Sequence, residues 1–119
     1  MTSSYDGTLR IWDERNLKSE VDLLNTHGKS LWEVNFTKAT SKTPFSFGIP
    51  AIYDGYLFYK HRDPNRKFAS FTDPDFKFSD FERDEYKGHE SISYAFESIP
   101  TSDLILSSSF YDNSLHLLK

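Results

Sequence analysis

The chain has 119 residues, of which 14 are Lys or Arg and 18 are Asp or Glu, so its formal net charge is −4. One small domain is expected, and the acidic balance argues against a basic protein that binds nucleic acid directly. Aromatic residues make up 17% of the chain and cysteine is absent, which favours half-buried β-strands and excludes disulfides, zinc–thiolate sites and cysteine nucleophiles. No apolar run is long enough for a transmembrane helix, and the polar N-terminus lacks a signal-peptide core, so a cytoplasmic location is expected.

Three segments share one pattern, in which a tight turn separates two stretches of alternating side chains. Each turn reads Tyr-Asp followed by Gly or Asn, at residues 5–7, 53–55 and 111–113. Gly and Asn tolerate the positive φ values that tight hairpin turns require. We therefore predict three β-hairpins, with further strands at residues 19–24, 31–36 and 91–96.

Two dipeptides connect these hairpins with a known repeat. The first hairpin ends in Trp12-Asp13, and Gly88-His89 precedes the third group of strands. Hairpins that contain Asp, Trp-Asp ends, Gly-His pairs and a period in the forties are typical of WD40 repeats, which form the four-stranded blades of β-propellers.

In WD40 blades the His and the turn Asp commonly join a buried hydrogen-bond network. We therefore expect His89 to lie beside Asp112 and, from the inverted pair His27-Gly28, His27 to lie beside Asp54. The residues assigned a structural role in these repeats are Asp6, Trp12, Asp54, His89 and Asp112.

The predicted fold is all-β: a fragment of a WD40 β-propeller with roughly two to three four-stranded antiparallel blades. Residues 1–24 would end one blade, residues 25–87 would form a second, and residues 88–119 would start the last blade, with its outer strand missing. The middle blade carries a charged, Phe-rich insertion near residues 61–85. This insertion is interpreted either as a surface loop with an outer strand near residues 76–81 or as a loop that docks a partner protein.

The last hairpin carries a more specific resemblance. Residues 106–117, with Ser-Phe-Tyr-Asp followed by Ser-Leu-His-Leu, resemble the closing repeat of the diphthine methyl ester hydrolase family, also called diphthine methyltransferases, WD-repeat proteins of diphthamide biosynthesis. Residues 28–34 are similar to a second segment of that family. The resemblance implies a propeller that hydrolyses the methyl ester of methylated diphthine on elongation factor 2, which would be the partner. Asn113 and Leu118 depart from the family pattern.

The sequence does not identify the catalytic residues of such an esterase. Neither a Gly-x-Ser-x-Gly elbow nor a His-Glu-x-x-His motif occurs, and no cofactor or metal site is predicted. His116 and Asp112 are the candidates, because they are the unusual members of the family-like stretch. His116 is interpreted either as a surface residue or as one lying where two blades meet, and Asp112 is also a turn residue. The serines at 107–109 are interpreted as strand residues.

Three functional hypotheses remain open. The first is a carboxylic-ester hydrolase acting on methylated diphthine, as the resemblance implies. The second is a non-catalytic WD-repeat scaffold for protein–protein interaction, for example in vesicle trafficking or translation-linked regulation. The third is a fragment without independent activity, because blades need neighbours to bury their faces.

Overall fold

Alternating side chains and tight turns fold this chain into strands. The structure is a computed structural model, and it describes residues 1–37, 45–66, 68, 73–99, 102 and 104–119. The described residues form three antiparallel sheets, so the predicted all-β class is confirmed.

Each sheet is built from strands that are consecutive in the chain. Sheet 1 contains β1 (Thr2–Ser3), β2 (Thr8–Ile11) and β3 (Asp22–Asn25). Sheet 2 contains β4 (Asn35–Thr37), β5 (Ser46–Pro50), β6 (Tyr56–His61) and β7 (Phe81–Tyr86), with a 3-10 turn at Phe78–Asp80. Sheet 3 contains β8 (Ser93–Ser98), β9 (Ile105–Ser109) and β10 (Leu115–Leu118).

All three predicted hairpins are present, as the pairs β1–β2, β5–β6 and β9–β10. Gly7, Gly55 and Asn113 adopt φ values of 82°, 85° and 52°. These values lie in the left-handed region, which the Gly or Asn of each turn accommodates with little strain. The Tyr-Asp-Gly/Asn signal therefore located the turns correctly.

Three strands differ in their boundaries from the prediction, including the strand expected at 91–96, which is β8 at Ser93–Ser98. The strand expected at 31–36 begins only at Asn35, because the preceding backbone crosses between sheets: the amide of Leu31 donates to the carbonyl of Ser4, and that of Trp32 donates to the carbonyl of Pro50. The strand expected at 19–24 is β3, displaced toward the C-terminus.

The insertion near residues 61–85 is only partly the expected surface loop: residues 62–65 are exposed, but several of its phenylalanines are buried. Its outer strand is β7, which starts where the expected strand at 76–81 ends. Four of its phenylalanines are buried against Phe45 and its neighbours in sheet 2: Phe68, Phe76, Phe78 and Phe81. The segment therefore supplies core side chains, and Phe71 lies outside the described residues.

One apolar cluster joins sheets 1 and 2. Leu9 and Ile11 of β2 share it with Leu57 and Tyr59 of β6. The Phe47 ring stacks on Tyr59 with centroids 4.9 Å apart. Burying so many rings removes a large apolar area from water and is the main source of stability for these two sheets.

Sheet 3 packs on the opposite face of sheet 2. The ring of Phe96 lies against Gly48 and has its centroid 5.7 Å from that of Phe58. A Cβ at position 48 would stand 2.5 Å from the Phe96 ring, so only Gly allows this approach. The single proton of the Tyr56 hydroxyl is shared between the carbonyls of Ala95, at 3.0 Å, and of Ser108.

Candidate functional site

A buried hydrogen-bond network forms where the linker from β7 to β8 meets the third hairpin. His89 Nε2 lies 2.9 Å from the hydroxyl of Ser107, and Nδ1 lies 2.9 Å from the hydroxyl of Ser114. Nδ1 is also 3.3 Å from Asp112 Oδ2. The structure thus places His89 beside Asp112, the pair that the sequence spacing predicts.

Asp112 organises the turn below this histidine. Its Oδ1 accepts the Ser114 amide at 2.9 Å and the Ser114 hydroxyl at 2.7 Å, and its Oδ2 accepts the Glu90 amide at 3.1 Å. Burial acts to raise the pKa of Asp112, but the hydrogen bonds that the carboxylate accepts, led by those from Ser114, together outweigh it and hold the pKa well below its ordinary value.

The charge of Asp112 fixes the tautomer of His89. The Ser114 hydroxyl donates to the carboxylate, so its oxygen accepts from His89 Nδ1–H. With the proton on Nδ1, Nε2 of the imidazole is the acceptor for the Ser107 hydroxyl.

The other candidate, His116, joins the same network from β10. Its ring stacks on the His89 ring with centroids 3.9 Å apart, and its Nδ1 is 2.6 Å from the Tyr86 hydroxyl. The structure therefore brings both candidates to one histidine, with His116 stacked on the ring face of His89 and Asp112 at its Nδ1 edge.

Ser107, His89 and Asp112 are the residue types of a serine hydrolase, but a substrate cannot reach the serine. Ser107 is fully buried and the His89 side chain is 1% exposed. A nucleophilic serine must reach a substrate carbonyl, which an enclosed hydroxyl cannot do while the sheets stay packed. The network instead ties the linker to the hairpin.

The remaining structural residues lie in separate places. Asp6 accepts the Thr8 amide and hydroxyl in the first turn, and the Trp12 indole donates to the Thr2 hydroxyl at 2.9 Å. Asp54 pairs with the Lys29 ammonium at 3.5 Å.

The expectation that His27 lies beside Asp54 is wrong. His27 has φ of 60° and is exposed, and its amide donates to the Asn25 side chain at 2.7 Å. This turn directs the ring to solvent, while Thr26 takes the buried position and donates to the Gly7 carbonyl at 2.7 Å.

A second feature is a set of exposed aromatic side chains near the turns and strand starts, which form two contacting groups. We call it the aromatic strip; its members are Tyr5, Trp32, Tyr53, Tyr94, Phe110 and Tyr111. The Tyr5 and Tyr53 hydroxyls are 3.1 Å apart, and the Tyr94 ring lies 5.8 Å from Trp32 and 5.7 Å from Phe110.

Backbone hydrogen bonds hold the strip together. The amide of Trp32 donates to the Pro50 carbonyl at 3.1 Å, and the amide of Phe110 donates to the Ile92 carbonyl at 3.1 Å. Between them, the amide of Ser93 donates to the Ile52 carbonyl at 2.9 Å. The aromatic side chains therefore project from a fixed backbone, which reduces the entropy lost on binding.

Sequence reasoning used three of these tyrosines only to align the turns. The signal that could have identified the strip is the position of these tyrosines next to the turn Asp. A residue in a turn does not belong to either face of a sheet, so its ring is left exposed. Trp32 belongs to the strip because its segment crosses between sheets.

A polar pocket of about 350 Å³ lies at the outer edge of sheet 2, lined by His61, Arg62, Asp63, Arg66, Asp75 and Asp80. Its charges are largely matched, as in the Arg66–Asp75 pair at 2.8 Å. Among the described residues, no group of three or more His, Asp or Glu could hold a metal ion, and no helix is long and apolar enough to cross a membrane.

No protein-family model matches the chain, and no curated protein or solved structure is significantly similar to it.

Proposed function

We propose that the chain is built from WD40-type blades and acts as a non-catalytic scaffold for protein–protein interaction, with the aromatic strip as its binding surface. The observation that carries this proposal is the exposure of six large aromatic side chains in two contacting groups, Tyr5–Tyr53 and Trp32–Tyr94–Phe110–Tyr111. Clusters of exposed aromatic side chains cost solvation free energy and are typical of interaction sites.

The blade relationship is supported by the turns and by the network around His89. Asp6 and Asp112 each accept the amide and the hydroxyl of the residue two positions later, Thr8 or Ser114. Equal hydrogen bonding in two hairpins so far apart in the chain favours a common structural unit.

The partner that fits the strip is an extended polypeptide segment carrying Arg or Lys. The residues beside the aromatic side chains include Asp6, Glu33 and Glu90, all exposed, and the whole chain carries a net charge of −4. An Arg guanidinium stacks on exposed aromatic faces and gains attraction from neighbouring carboxylates.

A binding titration with model peptides tests this chemistry. The probe is a labelled peptide of alternating Arg and Pro, and the control is the same peptide with Glu in place of Arg. We expect the Arg peptide to shift the amide signals of residues 5, 32, 53 and 94, and the Glu peptide to leave them unchanged.

Substitution of the strip completes the test. The double variant Trp32→Ser, Tyr53→Ser is expected to weaken binding roughly five- to thirty-fold, since each exposed cation–π contact is worth about 0.5–1 kcal/mol. The matched control is Leu17→Ser, which changes an exposed apolar residue outside the strip. Equal binding of both peptides, or an equal effect of Leu17→Ser, would contradict the proposal.

The second candidate is hydrolysis of methylated diphthine on elongation factor 2, which the resemblance of residues 106–117 implies. The observation in its favour is His116, half-buried between Tyr86 and His89. Incubating the chain with elongation factor 2 that carries the methyl ester, and following the ester by mass spectrometry, tests it. Loss of the ester with the parent chain but not with His116→Gln would support hydrolysis.

A further inference from the structure

One face of sheet 3 is uncovered at positions that are buried in the other two sheets. After the first turn, Leu9 and Ile11 are 0% and 5% exposed; after the second, Leu57 and Tyr59 are 0% and 4% exposed. The corresponding residues after the third turn are exposed to 66% and 58%, and they are Leu115 and Leu117.

The opposite face of sheet 3 is already occupied. Phe96, Ser107 and His116 lie in one row across the sheet and pack toward sheet 2 and His89. The uncovered face is made of the two neighbouring cross-strand rows, which are Ala95–Ser108–Leu115 and Glu97–Leu106–Leu117. Its centre is aliphatic, and Glu97 is the charged residue in these rows.

We propose that this face packs against the same face of a second copy of the chain, giving a twofold symmetric dimer. The argument is the packing already present inside the molecule. The corresponding faces of sheets 1 and 2, carrying Leu9 and Ile11 in one and Leu57 and Tyr59 in the other, meet in a single buried cluster. This type of face is therefore complementary to its own kind, which an isologous interface requires.

The charges at the rim fit this packing. With the twofold axis parallel to the strands, β8 of one copy lies over β10 of the other. Glu97 then approaches Lys119 of the second copy, because Lys119 directly follows β10 and the strand alternation, continued two residues past Leu117, brings it to the same face. Both residues are exposed in the single chain, so the ion pairs form at the edge of an apolar centre.

Sedimentation of the purified chain over a range of concentrations tests the proposal. We expect a monomer–dimer equilibrium whose dissociation constant rises about tenfold or more in Leu115→Lys and Leu117→Lys, since each change buries an unpaired ammonium in the interface. The control Leu17→Lys, which alters an equally exposed leucine in sheet 1's loop, is expected to leave the constant unchanged.

A charge exchange gives an independent readout. Glu97→Lys is expected to weaken the dimer, and adding Lys119→Glu is expected to restore it. A chain that stays monomeric at all concentrations, open-ended species larger than a dimer, or an equal response to Leu17→Lys would overturn the proposal. The face is distinct from the aromatic strip, so peptide binding and dimerisation can fail separately.

Discussion

The best predicted residues are those whose role depends on local spacing. Asp6 and Asp112 could be assigned to turns because an Asp two residues before a Thr or Ser satisfies the turn amide, and both do so. His27 could not be placed, because its direction depends on the Asn25 side chain and on a positive φ rather than on its distance from Asp54.

The Thr8 hydroxyl controls the ionisation of Asp6. It donates to Asp6 Oδ1 at 2.5 Å and is the main cause that lowers the pKa of Asp6 to about 2. A carboxyl with a lowered pKa stabilises the fold above the unfolded value of about 3.9, and this contribution is lost as the pH falls toward 2. We expect Thr8→Val to raise the pKa of Asp6 and to shrink the loss of stability between these two values.

Carboxyl carbon shifts in an NMR titration measure this effect directly. Asp13 is the internal control, because Arg15 rather than Thr8 lowers its pKa to about 2. An unchanged titration of Asp6 in Thr8→Val would show that the turn amide and Ser4 suffice to hold the charge.

Replacing His89 and replacing His27 are expected to change the free energy of unfolding by different amounts. His89→Ala removes the acceptor of the buried Ser107 hydroxyl and is expected to lower the free energy of unfolding by about 1–3 kcal/mol. His27→Ala changes an exposed ring and is expected to stay within about 0.5 kcal/mol of the parent chain. Denaturant unfolding measures the free energy of unfolding of both variants. Equal losses would contradict the assignment of His89 to the buried network and of His27 to the surface.

At the scale of elements, the hairpins were predictable, whereas the outer strand of sheet 2 was expected near residues 76–81 and lies at Phe81–Tyr86. The hairpins carry period-two alternation and a turn signal. The segment before β7 has phenylalanines at irregular spacing, because a 3-10 turn at Phe78–Asp80 lies between Phe76 and Phe81. Its residues are placed by tertiary packing against Phe45 and Phe47 rather than by local preference.

Because tertiary packing places this segment, replacing Phe81 is expected to destabilise the protein strongly. Its ring lies 5.3 Å from Phe47 and 5.1 Å from Phe76, so Phe81→Ala opens a cavity among aromatic side chains. We expect the free energy of unfolding to fall by about 3–5 kcal/mol. Phe110→Ala is the matched control, because its ring is exposed and its loss should cost under about 0.5 kcal/mol. Comparable losses would show that β7 is not part of the core.

At the scale of the whole molecule, the stacking of the sheets could not be read from the sequence. β6 carries Tyr56 and Phe58 on one face and Leu57 and Tyr59 on the other, so both faces suit burial. Alternation therefore predicts a strand buried on both sides but not which neighbour covers which side. In the structure, Leu57 packs in the cluster shared with sheet 1 and Phe58 packs against Phe96 of sheet 3.

The two interfaces of sheet 2 differ in kind, and this predicts the order in which the molecule opens. The contact with sheet 1 is a continuous aromatic and aliphatic cluster. The contact with sheet 3 includes one buried apolar ring, Phe96, and is otherwise largely polar, with hydrogen bonds of Tyr56, Asn35 and Tyr86 among its contacts. Hydrogen bonds yield less net free energy than buried apolar area, so sheet 3 is expected to separate before sheets 1 and 2.

Amide hydrogen exchange measures this order, at a concentration where the chain is monomeric. We expect the amides of β8 and β9 to exchange through a lower opening free energy than those of β5 and β6. Phe96→Ala should lower the first value further and leave the second almost unchanged, because its ring contacts sheet 2 from the side of sheet 3. If β5 and β9 exchange with one common free energy in both proteins, the three sheets unfold as a single unit and the polar interface is as strong as the aromatic one.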